Sequence, residues 1–159
     1  METRIIHSGG VSALIGLLSS AEHTVVDASL GALANLAGHP TMRSIFIAER
    51  AIECLRAPID ERDESLYTHA GGVLSSLAVD PQHGASVIEQ GGLSLLITYA
   101  LSDDVAYQEE GAWALANLSS VQAHAQPMAE AGAIEALFEL ISRGKPSVEL
   151  QALWAVANM

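Results

Sequence analysis

Residues 107–119 read YQEEGAWALANLS, and the spacing of their apolar residues predicts an amphipathic helix. The positions that recur every three or four residues form a core stripe of Tyr107, Gly111, Ala114, Leu115 and Leu118. At about 100° per residue, a second stripe lies roughly a quarter-turn away and contains Glu110, Trp113 and Asn117. The indole of Trp113 therefore lies outside the core face of its own helix, where it either packs on a neighbouring helix or binds a ligand.

The segment that precedes this helix returns at a constant step of 41 residues. Its four copies align without a gap and read IIHSGGVSALIGLLSS (5–20), FIAERAIECLRAPIDE (46–61), VIEQGGLSLLITYALS (87–102) and MAEAGAIEALFELISR (128–143). A unit of this size cannot bury its apolar face alone, so the copies must stack on one another. The predicted fold class is all-α, an α-solenoid of about four repeats with bounds near 1–38, 39–79, 80–120 and 121–159.

Each repeat is predicted to contain three helices, which in the third copy cover about 81–90, 92–102 and 105–120. Pro81 suits the first turn of the first of these helices. A sharp turn is expected between the first and second helices, in a column that holds Gly9, Gly91, Gly132 and, as an exception, Arg50.

Helix ends are predicted from two further features. Thr24, Ser65 and Ser147 share the column before the third helix and are predicted as N-caps, with Thr24 and Asp27 forming a capping box. Pro58 is expected to end or kink the second helix of the second copy, because its ring clashes with the preceding turn.

The composition of the 159 residues favours packed helices and disfavours several classes of protein. No apolar run reaches membrane-spanning length, so we expect no direct membrane insertion. Cys54 is the one cysteine, which excludes an intrachain disulfide and fits an intracellular location, cytoplasmic or nuclear. The net charge of −12 disfavours nucleic acid as a partner and would attract a basic one.

Four stretches together resemble the armadillo-repeat family over essentially the whole chain, namely SGGVSAL (8–14), QGGLSLL (90–96), YQEEGAWALANLS (107–119) and EAGAIEAL (130–137). The resemblance implies an armadillo-type solenoid, a right-handed superhelix of three-helix repeats. In that family the third helices line a concave groove that binds an extended peptide. Residues 1–159 are accordingly predicted to form a single armadillo-repeat domain, a segment of a longer solenoid.

The family holds its peptide with Trp–x–x–x–Asn pairs, in which the asparagine bonds the peptide backbone and the tryptophans flank its side chains. Trp113 with Asn117 and Trp154 with Asn158 match this pattern, so the third and fourth repeats resemble the importin-alpha type. With the residues one turn earlier and the counterparts in other copies, the predicted binding set is Trp113, Asn117, Trp154, Asn158, Asn35, Glu110, Gln151, His69 and Ser76.

The first and second copies depart from the pattern. Asn35 is kept in the first copy, but Gly31 stands in place of the tryptophan. In the second copy, Gly72 and Ser76 replace both members of the pair. A complete importin-like groove is therefore expected only across the third and fourth copies, and the chain is equally similar to vacuolar and junctional armadillo scaffolds.

The chemistry of the pairs favours a basic extended peptide. An asparagine amide offers both a donor and an acceptor, so it can pair with a peptide backbone whatever the side chains. Tryptophans on neighbouring helices, roughly 10 Å apart, form slots for the stems of Lys or Arg and add about 0.5–2 kcal/mol of cation–π attraction each. The alternative is that Trp113 and Trp154 pack on each other and on neighbouring third helices.

A second function class is a structural scaffold that docks partners through its convex face or its ends, with self-association through the uncapped ends. Catalysis, a cofactor and a metal are not expected. His83 and His124 share a column and are interpreted as two surface histidines rather than a metal pair. Cys54 is expected in the core and not as a nucleophile.

Overall fold

A computed structural model describes residues 9–60, 63–143 and 145–159, and the regular structure in these ranges is helical throughout. The chain falls into two compact units, which we call unit 1 (Met1–Leu77) and unit 2 (Ala78–Met159). Their division lies close to the predicted boundary between the second and third repeats. The predicted beginning of the first repeat, residues 1–8, lies outside the described residues.

Unit 1 contains the predicted second and third helices of the first repeat, and all three helices of the second repeat except the last residue of the third, Ala78, with which unit 2 begins. The third helices, α2 and α6, are each 15 residues long. In chain order the helices are α1 (Gly10–Leu17), α2 (His23–Ala37), α3 (Pro40–Ala48), α4 (Ala51–Cys54), α5 (Arg56–Asp60) and α6 (Glu64–Ala78).

Unit 2 repeats the same order twice. Its helices are α7 (Gly84–Glu89), α8 (Gly92–Ala100), α9 (Val105–Ser119), a 3₁₀ turn (Gln122–His124), α10 (Ala125–Glu130), α11 (Ala133–Ser142) and α12 (Pro146–Asn158). The second and third helices predicted for the third copy are confirmed within two residues. The first begins at Gly84 and not at Pro81, because Asp80 closes a turn by accepting from the backbone nitrogens of Gln82 and His83 at 3.0 and 2.9 Å.

A left-handed residue marks the turn before the second helix of every repeat, as predicted. Gly9, Gly91 and Gly132 have φ of 67°, 82° and 85°. Arg50, the exception in this column, adopts the same conformation with φ of 53°. Its guanidinium Nε donates to Glu53 Oε2 at 3.0 Å. The turn is therefore kept even where the residue that favours it is missing.

The predicted N-cap column is wrong by two residues. The third helices begin after Glu22, Asp63, Asp104 and Lys145, so Thr24, Ser65 and Ser147 lie inside the first turn. For the same reason Thr24 and Asp27 do not form a capping box. Aspartate supplies the side-chain caps: Asp104 accepts from the nitrogen of Ala106 at 2.8 Å, and Asp63 accepts from that of Ser65 at 3.1 Å. A polar column near a helix start does not by itself distinguish the cap from the first turn.

Pro58 interrupts the second helix of the second repeat, as predicted. The helix is split into α4, which ends at Cys54, and α5, which begins at Arg56. Cys54 is four residues before Pro58, and it is the carbonyl at that position that a proline ring displaces. Pro58 itself is buried within α5.

The core stripe predicted for α9 is confirmed except at its first member. The buried members are Gly111, Ala114, Leu115 and Leu118. Tyr107 is half-buried, and its ring meets that of Tyr99 edge to face, with centroids 6.0 Å apart. At Gly111 a β-carbon would lie 2.4 Å from the backbone nitrogen of Ala100, so α8 and α9 approach more closely there than any side chain allows.

Candidate functional site

In unit 2, α9 and α12 run side by side in the same direction. Near their beginnings, the hydroxyl of Ser147 donates to a carboxylate oxygen of Glu109, which is 38 residues earlier. Near their ends, Asn158 Nδ2 donates to Ser119 Oγ at 3.2 Å across a separation of 39 residues. Since the offset is nearly constant along both helices, they are parallel, and residues one repeat apart lie abreast at helix-packing distances of about 8–10 Å.

The two indoles occupy equivalent positions on these helices and are open to solvent. Trp113 is 40% exposed and Trp154 is 62% exposed, whereas the core side chains beside them are buried. Within the described residues, neither indole contacts another aromatic ring. Both are therefore available to contact a ligand. We call the four residues Trp113, Asn117, Trp154 and Asn158 the Trp–Asn stripe.

Asn158 is held by a serine that the sequence analysis did not single out. Ser119 Oγ accepts from Asn158 Nδ2 at 3.2 Å and itself donates to the carbonyl of Ala116 at 2.7 Å. Ser119 is 1% exposed, so this short chain of hydrogen bonds is protected from water. The signal that could have found it is the column itself, which reads Ala37, Ala78 and Ser119 in successive repeats.

Two other amide side chains of the predicted set each have a buried polar atom without a hydrogen-bond partner. Asn117 Nδ2 and Gln151 Oε1 are buried, and neither forms a hydrogen bond with any residue in the described ranges. Buried amide groups are nearly always paired, so an unpaired one calls for a physical reason. The parallel register indicates that Gln151 lies next to Trp113. The unpaired atoms therefore cluster around the better-covered indole.

Charge around the stripe is negative. Glu110 lies one turn before Trp113 and is half-buried, and Glu109 on the same turn holds Ser147. The chain as a whole carries 19 acidic and 7 basic residues, which gives the net charge of −12. Such a surface attracts cationic ligands, and added salt weakens the attraction.

The corresponding positions in unit 1 are built differently. A β-carbon at Gly31 would lie 3.3 Å from His69 Nε2, so the imidazole packs on the bare backbone where unit 2 has an indole. The same nitrogen lies 3.8 Å from Asp27 Oδ1. Of the other predicted residues, Asn35 is exposed and Ser76 is half-buried. The predicted set is thus divided between the units, with Asn35, His69 and Ser76 in unit 1.

Beside His69 is an open cleft of about 480 Å³, whose lining is acidic and hydroxylic and consists of Asp63, Glu64, Ser65, Thr68 and His69. Ser65 in this cleft donates its hydroxyl to Asp27, 38 residues earlier. This is the unit 1 counterpart of the bond between Ser147 and Glu109. The serines expected as caps therefore link neighbouring third helices in both units.

The interpretation of His83 and His124 as two surface histidines is wrong for His124. That ring is 5% exposed and packs against Gly84, where a β-carbon would lie 2.4 Å from its Cε1 atom. Its Nδ1 lies 2.9 Å from the carbonyl of Leu118, in the last turn of α9, where backbone carbonyls lack helical partners. No group of three metal-ligating side chains occurs in the part of the chain that the structure describes.

Cys54 and Glu53 are two groups whose pKa clearly departs from the ordinary value. Partial burial, followed by the charge of Glu53, raises the pKa of the Cys54 thiol. A hydrogen bond from Arg50 lowers the pKa of Glu53. Cys54 is half-buried, so it is less enclosed than expected, and its protonated thiol is a poor nucleophile. No helix within the described ranges is long and apolar enough to cross a bilayer.

Comparison with known families and proteins agrees with the repeat pattern. The Armadillo/beta-catenin-like repeat family matches residues 4–38 and 85–120. Importin subunit alpha-1b of Oryza sativa subsp. japonica is 29% identical over 159 residues, which cover 98% of this chain and 30% of that protein. Vacuolar protein 8 of Saccharomyces cerevisiae is 24% identical over 160 residues, which cover 99% of this chain and 28% of that protein. The chain thus spans less than a third of either relative's length.

A solved structure gives the same fold. A designed armadillo repeat protein, in complex with the peptide (KR)4, superimposes with a TM-score of 0.85 and 28% sequence identity. The match covers 98% of this chain and 66% of the designed protein. The predicted fold class, an all-α solenoid of about four repeats, is confirmed by this likeness.

Proposed function

We propose that this chain is an armadillo-repeat protein and that it binds basic segments of other proteins along the Trp–Asn stripe of unit 2. The observation that carries the proposal is the pair of exposed indoles, 40% and 62% accessible, on parallel helices with an asparagine one turn after each. Exposed tryptophans are unusual at a surface without a partner and are enriched where proteins bind.

The stripe suits an extended peptide because its two kinds of residue recognise different parts of it. The indoles offer flat apolar faces for the methylene stems of Lys and Arg, and their ring electrons attract the charged heads. The asparagine amides can pair with backbone N–H and C=O groups, which repeat along any extended chain. At a helix spacing of about 8–10 Å, an extended chain that rises about 3.3 Å per residue presents side chains two to three residues apart to neighbouring slots.

Charge gives the preference for lysine and arginine. The net charge of −12 and the acidic turn at Glu109 and Glu110 favour a cationic segment. The designed relative in complex with (KR)4 supports the same choice, because its fold superimposes on this chain. By the same reasoning we expect no binding of nucleic acid, which a filter-binding assay checks.

The proposal is tested by titrating a fluorescently labelled (KR)4 peptide with the protein and following its anisotropy. We expect saturable binding that weakens as salt is added. Trp113→Ala should raise Kd about tenfold or more, because a central aromatic anchor is lost. Phe138→Ala is the matched control, since Phe138 is an aromatic residue of unit 2 that is 56% exposed and lies outside the stripe. Equal affinities for wild type and Trp113→Ala would overturn the proposal.

The scaffold function is favoured by a separate apolar face on α12. Leu150 and Leu153 are 65% and 46% exposed. At the equivalent positions of the first and third repeats, Leu30 and Ala112 are fully buried. Self-association that covers this face is therefore the second candidate. Light scattering should show an average mass that rises with protein concentration. The double variant Leu150→Glu with Leu153→Glu should have the mass of the monomer at every concentration. A wild-type chain that stays monomeric at high concentration would exclude self-association.

We infer that the chain is not an enzyme and needs no cofactor, as expected for an armadillo-repeat module. Hydrolase screening with and without divalent metal should be blank. The predictions of a cytoplasmic or nuclear location, a single domain and a longer parent solenoid remain predictions. Support for the last is the fraction of the relatives, 28% and 30%, that the chain spans.

A further inference from the structure

The two asparagines of the Trp–Asn stripe are held differently by the residues beneath them. Asn158 donates through Nδ2 to Ser119 Oγ at 3.2 Å, and the hydroxyl of Ser119 donates a hydrogen bond to the carbonyl of Ala116 at 2.7 Å. The hydroxyl therefore uses its donor and one acceptor position, and it orients the amide of Asn158.

One repeat earlier the hydroxyl is replaced by a methyl group. Ser119 is the last residue of α9, and its counterpart Ala78 is the last residue of α6, a helix of the same 15-residue length. Ala78 is 2% exposed and has no side-chain atom that can accept a hydrogen bond. Asn117 Nδ2, the counterpart of the bonded nitrogen of Asn158, is buried and unpaired among residues 9–60, 63–143 and 145–159.

This difference changes what each asparagine gains from a ligand. When Asn158 turns towards a peptide it exchanges an existing hydrogen bond for a new one. When Asn117 turns, it gives up nothing and removes the penalty of an unpaired buried donor. The terminal torsion of asparagine is broad, so the half-buried side chain of Asn117 can rotate its nitrogen outwards at low cost.

We infer that the column of Ala78 and Ser119 decides which asparagine anchors the peptide backbone, with Asn117 as the primary anchor and Asn158 restrained by Ser119. The ligand group is a backbone carbonyl of the bound segment, which accepts from Asn117 Nδ2 whatever the side chains. This inference rests on the proposed function, because it assigns roles within the same stripe.

The binding arm of the test uses the labelled (KR)4 peptide and two exchanges in this column. Ala78→Ser should give Asn117 an internal acceptor and weaken binding about fivefold. Ser119→Ala should free Asn158 and tighten binding about twofold. Ala37→Ser is the matched control, because Ala37 is the equally buried last residue of α2 in unit 1 and should leave Kd unchanged.

The stability arm needs no ligand. Ala78→Ser should raise the urea midpoint of the free protein, because the nitrogen of Asn117 gains a partner. In the background of Asn117→Ala the same exchange should give no increase. If the wild type does not bind (KR)4, the proposed function and the anchoring role derived from it are overturned. The urea midpoints would still decide whether residue 78 acts on Asn117. Binding that is unchanged by Ala78→Ser, or a rise in midpoint that persists without Asn117, would overturn the inference.

Discussion

In units 1 and 2 the third helices pair with the same residue offset, but the two units have different residues at the positions where unit 2 carries its indoles. In both units, a serine near the start of one third helix bonds to a carboxylate 38 residues earlier, Ser65 to Asp27 and Ser147 to Glu109. Unit 2 has two exposed tryptophans in the column that we propose binds the peptide, and unit 1 has two glycines there. The fold and the recognition surface are therefore encoded in different columns of the same repeat.

The glycines of unit 1 are themselves unlike each other. His69 packs on Gly31, with its Nε2 3.3 Å from where a β-carbon would lie. A β-carbon at Gly72 would lie 3.7 Å from its nearest neighbour, the β-carbon of Ala34, which is an ordinary van der Waals contact. Unit 1 has thus partly filled the space that an indole would occupy with a polar ring beside Asp27. We interpret unit 1 as the part that supports the fold and unit 2 as the part that binds.

The largest effect is expected where unit 2 packs most closely. Gly111→Ala would place a β-carbon 2.4 Å from the backbone of Ala100, so α8 and α9 must separate. We expect a loss of about 3 kcal/mol in the free energy of unfolding, measured in urea. Gly72→Ala in unit 1 is the control, because its β-carbon has room, and it should raise the free energy of unfolding by about 0.5–1 kcal/mol. Equal effects at the two glycines would contradict this description of the packing.

Transfer of the binding column to unit 1 tests whether its register is equivalent to that of unit 2. In a chain weakened by Trp113→Ala and carrying His69→Ala, which removes the ring that packs on Gly31, we introduce Gly31→Trp, Gly72→Trp and Ser76→Asn, and keep Asn35. Affinity for (KR)4 should recover about tenfold, since each slot contributes of the order of 1 kcal/mol. The control carries Gly31→Ala and Gly72→Ala in the same background. A grafted chain no better than this control would mean that unit 1 lacks the geometry.

The turn at Arg50 offers a smaller test of unit 1. Arg50 has φ of 53°, a conformation that costs a residue with a β-carbon about 1 kcal/mol more than glycine. Arg50→Gly should therefore raise the free energy of unfolding by about 1 kcal/mol and match the glycines of unit 2. Arg50→Ala removes the contact with Glu53 without relieving the backbone, and it should give no gain. A gain in both variants would assign the effect to the lost charge instead.

The smallest effect concerns the thiol of unit 1. Because burial raises the pKa of Cys54, less thiolate is present at pH 8 in the folded chain than in the unfolded one. Alkylation by iodoacetamide should be slower than that of the chain in urea. Since the pKa is higher in the folded chain, the Cys54 thiol contributes fully to the free energy of unfolding below its unfolded pKa. This contribution is lost as the pH rises through the folded pKa. A folded thiol that reacts as fast as the unfolded one would contradict the raised pKa.

Sequence periodicity predicted the repeat and the helices well, because burial of apolar columns depends on spacing alone. The step of 41 residues, the turn column and the break before Pro58 were all correctly inferred, even where Arg50 replaced glycine. Capping was misjudged because serine and threonine suit several positions near a helix start. Only the hydrogen bonds reveal that Ser65 and Ser147 pair with neighbouring helices.

The exposure of the two tryptophans was predictable from the sequence, but the hydrogen bonds around them were not. The exposure of Trp113 and Trp154 agrees with their place outside the core stripe. The role of Ser119 was not predicted, because its partner is 39 residues away and the change from Ala37 and Ala78 to serine in its column does not by itself identify that partner. His124 was misjudged since its burial depends on Gly84, a residue from the preceding repeat that leaves room for the ring.

The central claim is that unit 2 binds a basic peptide at the Trp–Asn stripe, and intrinsic fluorescence tests it most directly. The chain has two tryptophans, both in unit 2, so their emission reports on the stripe alone. Titration with unlabelled (KR)4 at low and high salt should give a saturable spectral change that weakens with salt and is largely lost in Trp113→Ala. An unchanged spectrum at high peptide concentration, with both indoles still quenched by acrylamide, would contradict the claim.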